Sequence, residues 1–517
     1  MTQLKSLLWV FAAFFGFSLA VTKPRVFVLT DIANEPDDAM SLTRFLVYSN
    51  QFDVQGICAT TSVWLQNQTR IDQIQDHITE YDKIYDNLSA HQPDTEGPWP
   101  TAEELFAKTY TGLPLYGLEA VGEGKSSNGS IALRTAVEAS EEVTWVLLWG
   151  GGNVLAQAVW EYEQNHTITE VEHFISKLRV YSISDQDDSS PSLRRRHPQI
   201  FWIYSNHAMN VYNTATWTGI SGEILYKFDE GGPDSSIVTN DWLQTNIRDV
   251  SSFGSTYPEF AFIMEGMVIL RLSYTSFKMV WVRGSIRTGA GKSPTQIILP
   301  SKVVDLDISR SWGGRYGRVT NQDHLFTDTV DTDVLGVNDA NYTSQHVTIW
   351  RWRDAYQWDF SARMRWTNTS DFSAVNHNPV VVVNDSKIVS EALHLNVAPG
   401  QTLFLDASAS YDPDVNGSST AESIDSKGFA NATFWQYLDA SSSQRDIDSA
   451  PKLRIVQDGL TATVQVPVLD DIPTAWIQGR GANFDDKTLH LVVEVWDQGT
   501  PSLVGYKRVV FDVQVPK

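Results

Sequence analysis

Residues 26–48 read VFVLTDIANEPDDAMSLTRFLVY, and the order of events in that stretch decides the fold. An apolar run of strand length, VFVL, meets four carboxylates, Asp31, Glu35, Asp37 and Asp38, and a helical pattern then runs from Pro36 to Tyr48. Pro36 suits the first turn of a helix, where its missing N–H has no partner to lose. Asp37 and Asp38 fall in that turn, where the helix dipole favours anions by about 0.3–1 kcal/mol. Capping accounts for these two but not for Asp31 and Glu35, which only add repulsion. A hard cation such as Ca²⁺ would account for all four, because it takes about six to eight oxygens, several of them from carboxylates. Neighbouring helical residues diverge by about 100°, so Asp37 and Asp38 cannot do the same job, and one can face a metal while the other faces a substrate. Cap and metal site both remain open from the pattern alone.

Working outward, strand-length apolar runs alternate with helical patterns as far as about Ser205. VQGICATT follows, then VTWVLLWG leading into NVLAQAVWEY, then LRVYSIS and IFWIYS. Such units predict an α/β domain with a mainly parallel sheet and helices on both faces, expected over 21–375. Pockets in these folds open at the carboxyl ends of strands, where TDIANEPDD lies. Asp185, Asp187 and Asp188 in SDQDD also follow a strand, so they either line the same pocket or form an ordinary Asp-rich loop. Trp202, Tyr204, Asn206, His207 and Trp217 come next; aromatic faces can stack on sugar rings, although most tryptophans are core. From about Asn376 the texture changes to short alternating strands, from VVVV and LHLNV to RVVFDVQV, which predicts a β-sandwich over 376–517. Between the two, Trp350, Trp352, Trp358 and Trp366 are expected to pack the domains together.

The 517 residues carry a net charge of −23, with 42% hydrophobic and 11% aromatic content. That describes a globular chain whose surface repels nucleic acid and anionic membrane. Residues 1–20 combine Lys5, an apolar stretch and small residues at Ser18 and Ala20, the pattern of a signal peptide. Nine N-x-S/T sequons, at Asn67, Asn87, Asn128, Asn165, Asn341, Asn368, Asn384, Asn416 and Asn431, agree with a secreted, extracellular glycoprotein. Cys58 is the single cysteine, so no intrachain disulfide forms, and its apolar surroundings predict a buried side chain.

The acidic stretch resembles the opening of nucleoside hydrolases, in which D-x-D-P-G-x-D-D follows a strand, holds calcium and contacts ribose hydroxyls. TDIANEPDDAMSLTRFLVYSN, VLLWGGGNVLAQAV and LRVYSISDQDD together are more similar to the cellulose-binding, nucleoside-hydrolase-like family of secreted proteins. FLDASASYDPD resembles the signature of polycystic-kidney-disease-type immunoglobulin-like modules. The resemblance implies a nucleoside-hydrolase-like domain followed by a β-sandwich, with Ca²⁺ as cofactor. Asp38 would chelate calcium and Asp37 would bind sugar hydroxyls. Gly152 would offer the metal a carbonyl, and Asn153 would begin the next helix and hold substrate. With IAN taken as a two-residue insertion, Asp31 becomes a metal ligand and, with Glu35, a candidate base. The resemblance also implies a late carboxylate ligand near Glu265. The implied function is hydrolysis of a glycosyl bond in a carbohydrate or nucleoside-like substrate by a calcium-bound water. The alternative is a non-catalytic binder of cellulose with a structural calcium site.

Residues 266–304 contain no Asp or Glu but hold Arg271, Lys278, Arg283, Arg287, Lys292 and Lys302. Codons compatible with this stretch, read in another frame, encode a Gly-Asp-Thr-Pro-Ser segment that the resembled family shows here. Codons for Gly291, Lys292 and Ser293 can spell a splice donor. Residues 267–310 are therefore read as a misplaced splice boundary with retained intron sequence. Sequencing the mature transcript across the codons for Glu265 to Trp312 should return the Gly-Asp-Thr-Pro-Ser frame and a later join to Ser311; a message that keeps the present codons rules this out.

Overall fold

The structure, a computed structural model, describes residues 23–207, 211–265, 314–319, 322, 324–386, 392–442, 450–478 and 487–515. The expected signal peptide and the stretch 267–310 lie outside the described residues.

Eight strands form the first sheet: β1 (Arg25–Thr30), β2 (Asp53–Ala59), β3 (Thr109–Thr111), β4 (Thr144–Leu148), β5 (Leu178–Ser182), β6 (Phe201–Tyr204), β7 (Tyr316–Arg318) and β8 (Leu325–Asp328). Their order is β3-β2-β1-β4-β5-β6-β8-β7, parallel except for the antiparallel edge strand β7. The chain steps outward one way from β1 to β3 and the other way from β4 to β6. The direction reverses between β1 and β4, which opens a crevice at their carboxyl ends. Strand β1 is buried along its whole length, as expected of a central parallel strand covered by helices on both faces. One core cluster gathers Val26 and Val28 with Phe45 and Trp149, and another gathers Phe27 and Leu29 with Cys58 and Val154. Cys58 is fully buried and its thiol is pushed above its ordinary range by burial.

A small ribbon, β9 (Asp331–Leu335) and β10 (Asn341–Ser344), leads into the Arg353–Trp366 helix, nearly all of which is buried beneath the Pro36–Val47 helix. The second core is the expected β-sandwich. Strands β11 (Leu393–Val397), β13 (Phe429–Gln436), β16 (Thr488–Asp497) and β17 (Val504–Val513) form one sheet in the order β11-β17-β16-β13. Strands β12 (Thr402–Asp406), β14 (Arg454–Asp458) and β15 (Thr461–Gln465) form the other, in the order β12-β15-β14. VVVV does not become a strand: Val380 pairs with Tyr411 in an isolated bridge, while Val381 and Val383 drop into the sandwich core. Among the described residues no helix is long and apolar enough to cross a membrane.

The four tryptophans expected between the domains divide. Trp352 meets Trp435, Tyr437 and Tyr506 of the sandwich, and the indole N–H of Trp366 donates to the Asn376 carbonyl. Trp350 and Trp358 instead pack on Tyr342 and Trp242, inside the first domain. The joint itself is polar. Asp331, fully buried, accepts from Arg315 and Arg351 at 2.7 Å each and from the Tyr437 hydroxyl at 2.7 Å. Asp439 of the sandwich accepts from the Thr332 N–H and hydroxyl. The two guanidinium groups outweigh burial and hold the Asp331 carboxyl below the usual carboxylate range.

Replacing Asp331 by Asn should cost about 3–5 kcal/mol, because two buried guanidinium groups lose their counter-charge. Because the folded pKa is depressed, the contribution is present above the unfolded value of about 3.9 and fades as pH falls through the folded one. Urea unfolding should therefore separate wild type from Asp331→Asn more widely at pH 7 than at pH 3; an equal gap at both would contradict the pairing.

Candidate functional site

The cluster forms where β1 ends. Thr30 donates its hydroxyl to Asp38 Oδ2, and Thr30 Oγ1 accepts from the Ile32 N–H at 3.1 Å. A turn closes from the Asn34 N–H to the Asp31 carbonyl, with Ala33 at φ 82°, a left-handed conformation that costs a residue bearing a Cβ. Glu35 occupies the helix N-cap in extended conformation, yet its side chain makes no capping hydrogen bond. Pro36 follows in the first turn, with Asp37 and Asp38 behind it. Capping therefore does not explain Glu35, and Asp38 turns back toward the strand instead of out to solvent.

Asp31 is oriented from the neighbouring strand end, where Ser62, just past β2, donates to Asp31 Oδ2. Gly150, just past β4, lies against it: a Cβ there would sit 2.8 Å from Asp31 Oδ1 and 3.0 Å from the Asp31 N. This close approach is open only to glycine. Burial pushes the Asp31 carboxyl up to about 6, with Glu35 adding repulsion. Asp37 is pushed up to about 7 by burial, then by Asp31 and Glu35. Asp38 is pushed well above its ordinary value by burial, then by Asp31 and Asp37, and Glu35 is raised by burial. Burial and mutual repulsion thus push these carboxyls upward together, most of all the buried Asp38 and least the exposed Glu35.

These groups floor a cavity of about 220 Å³. Trp64, Trp149, Tyr212, Trp217, Tyr226 and Phe262 line it, with Gln186 beside them. Two of its indoles are engaged: Trp64 donates to the Tyr212 hydroxyl at 3.1 Å and Trp217 to the Ile183 carbonyl at 2.9 Å. Gln186 donates its amide to the Trp149 carbonyl. Trp149 is 1% exposed, and its indole N–H has no acceptor among the described residues.

Of the residues expected from sequence, Asp31, Glu35, Asp37 and Asp38 come together here, and Trp217 joins them. The others do not. Asp185 pairs with Arg194 at 2.5 Å, and Asp188 accepts from the Leu118 N–H at 2.8 Å. Asp187 caps the Ser189–Arg196 helix through the Ser189 N–H and accepts from the Asn153 N–H at 3.2 Å. The Asn153 amide lies between Thr60, Thr61 and the Leu115 carbonyl. The SDQDD loop is thus an Asp-rich structural loop whose one cleft-lining side chain is Gln186. The Gly152 carbonyl accepts from the Ala156 N–H at 2.9 Å, as the first bond of its helix. Glu265 is engaged with Arg44 Nε at 2.7 Å and the Tyr257 hydroxyl at 2.8 Å, away from the acidic floor. Trp202 is buried with its indole on Ser182, and Tyr204 packs under Arg194. Sequence reasoning missed Ser62, Trp64, Trp149, Gln186, Tyr212, Tyr226 and Phe262. The first four follow the ends of β2, β4 and β5, so the strand-end rule applied to every strand would have reached them.

The donor chemistry fits a hard cation. Every candidate ligand is oxygen, and Asp31 and Asp38, whose carboxyls also hydrogen-bond each other, are each anchored through Oδ2 by a hydroxyl, the way supporting donors orient metal ligands. Among the described residues, however, no group of three or more His, Cys, Asp or Glu side chains converges as a metal site. Backbone oxygens and water would have to complete the shell.

Residues 25–273 match the family described as cellulose-binding Sde182, nucleoside hydrolase-like domain, and residues 402–513 match the cellulose-binding protein Sde0182, C-terminal domain. Among solved structures, a nucleoside hydrolase-related hypothetical protein from Saccharophagus degradans, described as associated with carbohydrate metabolism, aligns with a TM-score of 0.68 at 27% identity. It covers 95% of this chain and 100% of its own. Protocadherin gamma C5 EC1-3 aligns over 26% of this chain and 33% of its own at 15% identity, with a TM-score of 0.15, too low to carry an argument. No curated protein matches the chain. The strand order, the acidic strand end and the appended sandwich thus coincide with two family matches, and by both its domains this chain belongs to the cellulose-binding Sde182 family, a nucleoside-hydrolase-like domain joined to that family's C-terminal domain.

Proposed function

We propose that this secreted protein binds one terminal sugar residue in the acidic cleft and hydrolyses its glycosyl bond. The observation that carries the reading is the pairing of a carboxyl floor with aromatic walls at the β1/β4 switch point. A cavity of about 220 Å³ is smaller than the roughly 300–1,000 Å³ of drug-sized ligand pockets. It suits a single ring, so a polysaccharide would enter by its end. Aromatic faces take the apolar face of a sugar, and carboxylates accept from its hydroxyls.

Glu35, exposed at the mouth of the cleft, is the base that takes a proton from the attacking water. Asp37, beside it, binds the sugar hydroxyls. The anionic floor stabilises the positive charge that an oxocarbenium-like transition state develops. Asp31 and Asp38 would hold a calcium ion, which when bound lowers the pKa of a water. Hydrolysis of a nucleoside, in which the glycosyl group passes to water and the base departs, is one arm of the test, because the N-terminal domain is nucleoside-hydrolase-like.

Binding without turnover is the second reading. It is favoured by the family's cellulose-binding description and by the lack of a third converging ligand among the described residues.

Release of sugar should be measured on cello-oligosaccharides and nucleosides with calcium present, beside sedimentation on insoluble cellulose. Glu35→Gln should lower release about 10²–10⁴-fold while cellulose retention holds, since general-base catalysis contributes that much. Retention by the wild type with no release from either substrate set removes the hydrolase and leaves the binder. Asp38→Ala should abolish calcium binding by titration calorimetry; an affinity equal to wild type would remove the metal assignment.

A further inference from the structure

Tryptophan is highly buried on average, and of the described tryptophans Trp64 alone is exposed, at 42%. It also lines the acidic cleft, so its ring stands where the cavity opens to solvent. The loop after β2 is fixed at three points. The Trp64 backbone N–H donates to Ser62 Oγ at 3.0 Å, its indole N–H donates to the Tyr212 hydroxyl at 3.1 Å, and the Val63 N–H donates to the Gln186 carbonyl at 2.6 Å. Ser62 in turn donates its hydroxyl to Asp31, so one side chain positions both the floor of the cleft and its rim. With its polar atom satisfied, what Trp64 has left for a ligand is an apolar ring held still in solvent.

We infer that Trp64 is the platform of a second sugar subsite, on which the ring next to the one in the cleft stacks. The ligand is then the end of an oligosaccharide chain and not a lone monosaccharide. The inference rests on the carbohydrate reading above but not on turnover. A cavity of about 220 Å³ takes one ring, so the next ring of a chain lies beyond the mouth. That ring gains only where it covers apolar surface, and Trp64 is the exposed indole placed to supply it. A nucleobase could also stack on an indole, but its edge presents mostly acceptors. Glu35, exposed at the same mouth, only accepts when ionised, so it favours a partner rich in hydroxyl donors, which a sugar ring is. Trp64 therefore gives the cleft a preference for chain length.

The test is calorimetry on the whole secreted chain with D-glucose, cellobiose and cellotriose, and with inosine as the nucleobase control. Cellobiose should bind about two- to tenfold more tightly than D-glucose, the worth of one aromatic stacking contact, and cellotriose little better than cellobiose. Trp64→Ala should remove that gain, weakening cellobiose more than D-glucose, while Trp64→Phe, which keeps a ring, should retain part of it. If Trp64→Ala does not fold, acrylamide quenching of the wild type decides: cellobiose should shield an exposed indole that D-glucose leaves open. Equal affinity for D-glucose and cellobiose, or a length gain that survives Trp64→Ala, overturns this inference and spares the carbohydrate reading. A Trp64→Ala loss confined to inosine assigns the platform to a nucleobase and overturns the inference as well. No saccharide binding at all overturns both.

Discussion

Four carboxyl groups at the end of one buried strand repel one another, and the surrounding structure is arranged to hold them there. Thr30 and Ser62 each turn a hydroxyl onto a carboxylate, Gly150 leaves room for Asp31, and Pro36 starts the helix that carries Asp37 and Asp38. The cation on that helix does not neutralise them. Arg44, about two turns beyond Asp37, is turned away and fully engaged with Glu265, the Tyr356 carbonyl and Gln357. Glu265 is thus the counter-ion of Arg44. The raised carboxyl pKa values are the electrostatic trace of that arrangement.

The sheet topology turns this local repulsion into a site. Where β1 and β4 diverge, the loops after β1, β2, β4 and β5 meet above one crevice, and its sides are closed by Trp64 and Trp149 from these loops and by Tyr212, Trp217, Tyr226 and Phe262 from the segment after β6. The long Arg353–Trp366 helix supports the underside. Its Gln357 binds Arg44, while Asp359 accepts from the Tyr48 hydroxyl and lies 3.4 Å from Arg363. The sandwich is joined through Asp331 and its two arginines, so the two cores share a buried charged joint as well as aromatic contacts. Pairs of this kind add little net stability while intact but are costly to break from one side.

Much of this was legible in the chain itself. Strand-length apolar runs alternating with helical patterns give a parallel sheet, and period-two strands after Asn376 give a sandwich, because both follow from which faces must be buried. The acidic strand end was legible for the same reason: four carboxylates in eight residues, beside a strand that has to be central, have nowhere to go but a strand-end crevice. The alternating pattern misled at VVVV, where burial in the sandwich core did not require a ladder, and it missed the strand Phe429–Gln436.

Sequence alone therefore determined the class of both domains and the position of Asp31, Glu35, Asp37 and Asp38, since periodicity and local charge are properties of neighbouring residues. The tertiary structure decided which other groups reach them. Glu265 meets Arg44 across 221 residues, Trp64 meets Tyr212 across 148, and Asn153 meets Thr60 across 93. A carboxylate near the right strand end serves a site only if no buried donor claims it first. Asp185, Asp187, Asp188 and Glu265 are each claimed by a donor that only the folded chain brings within reach.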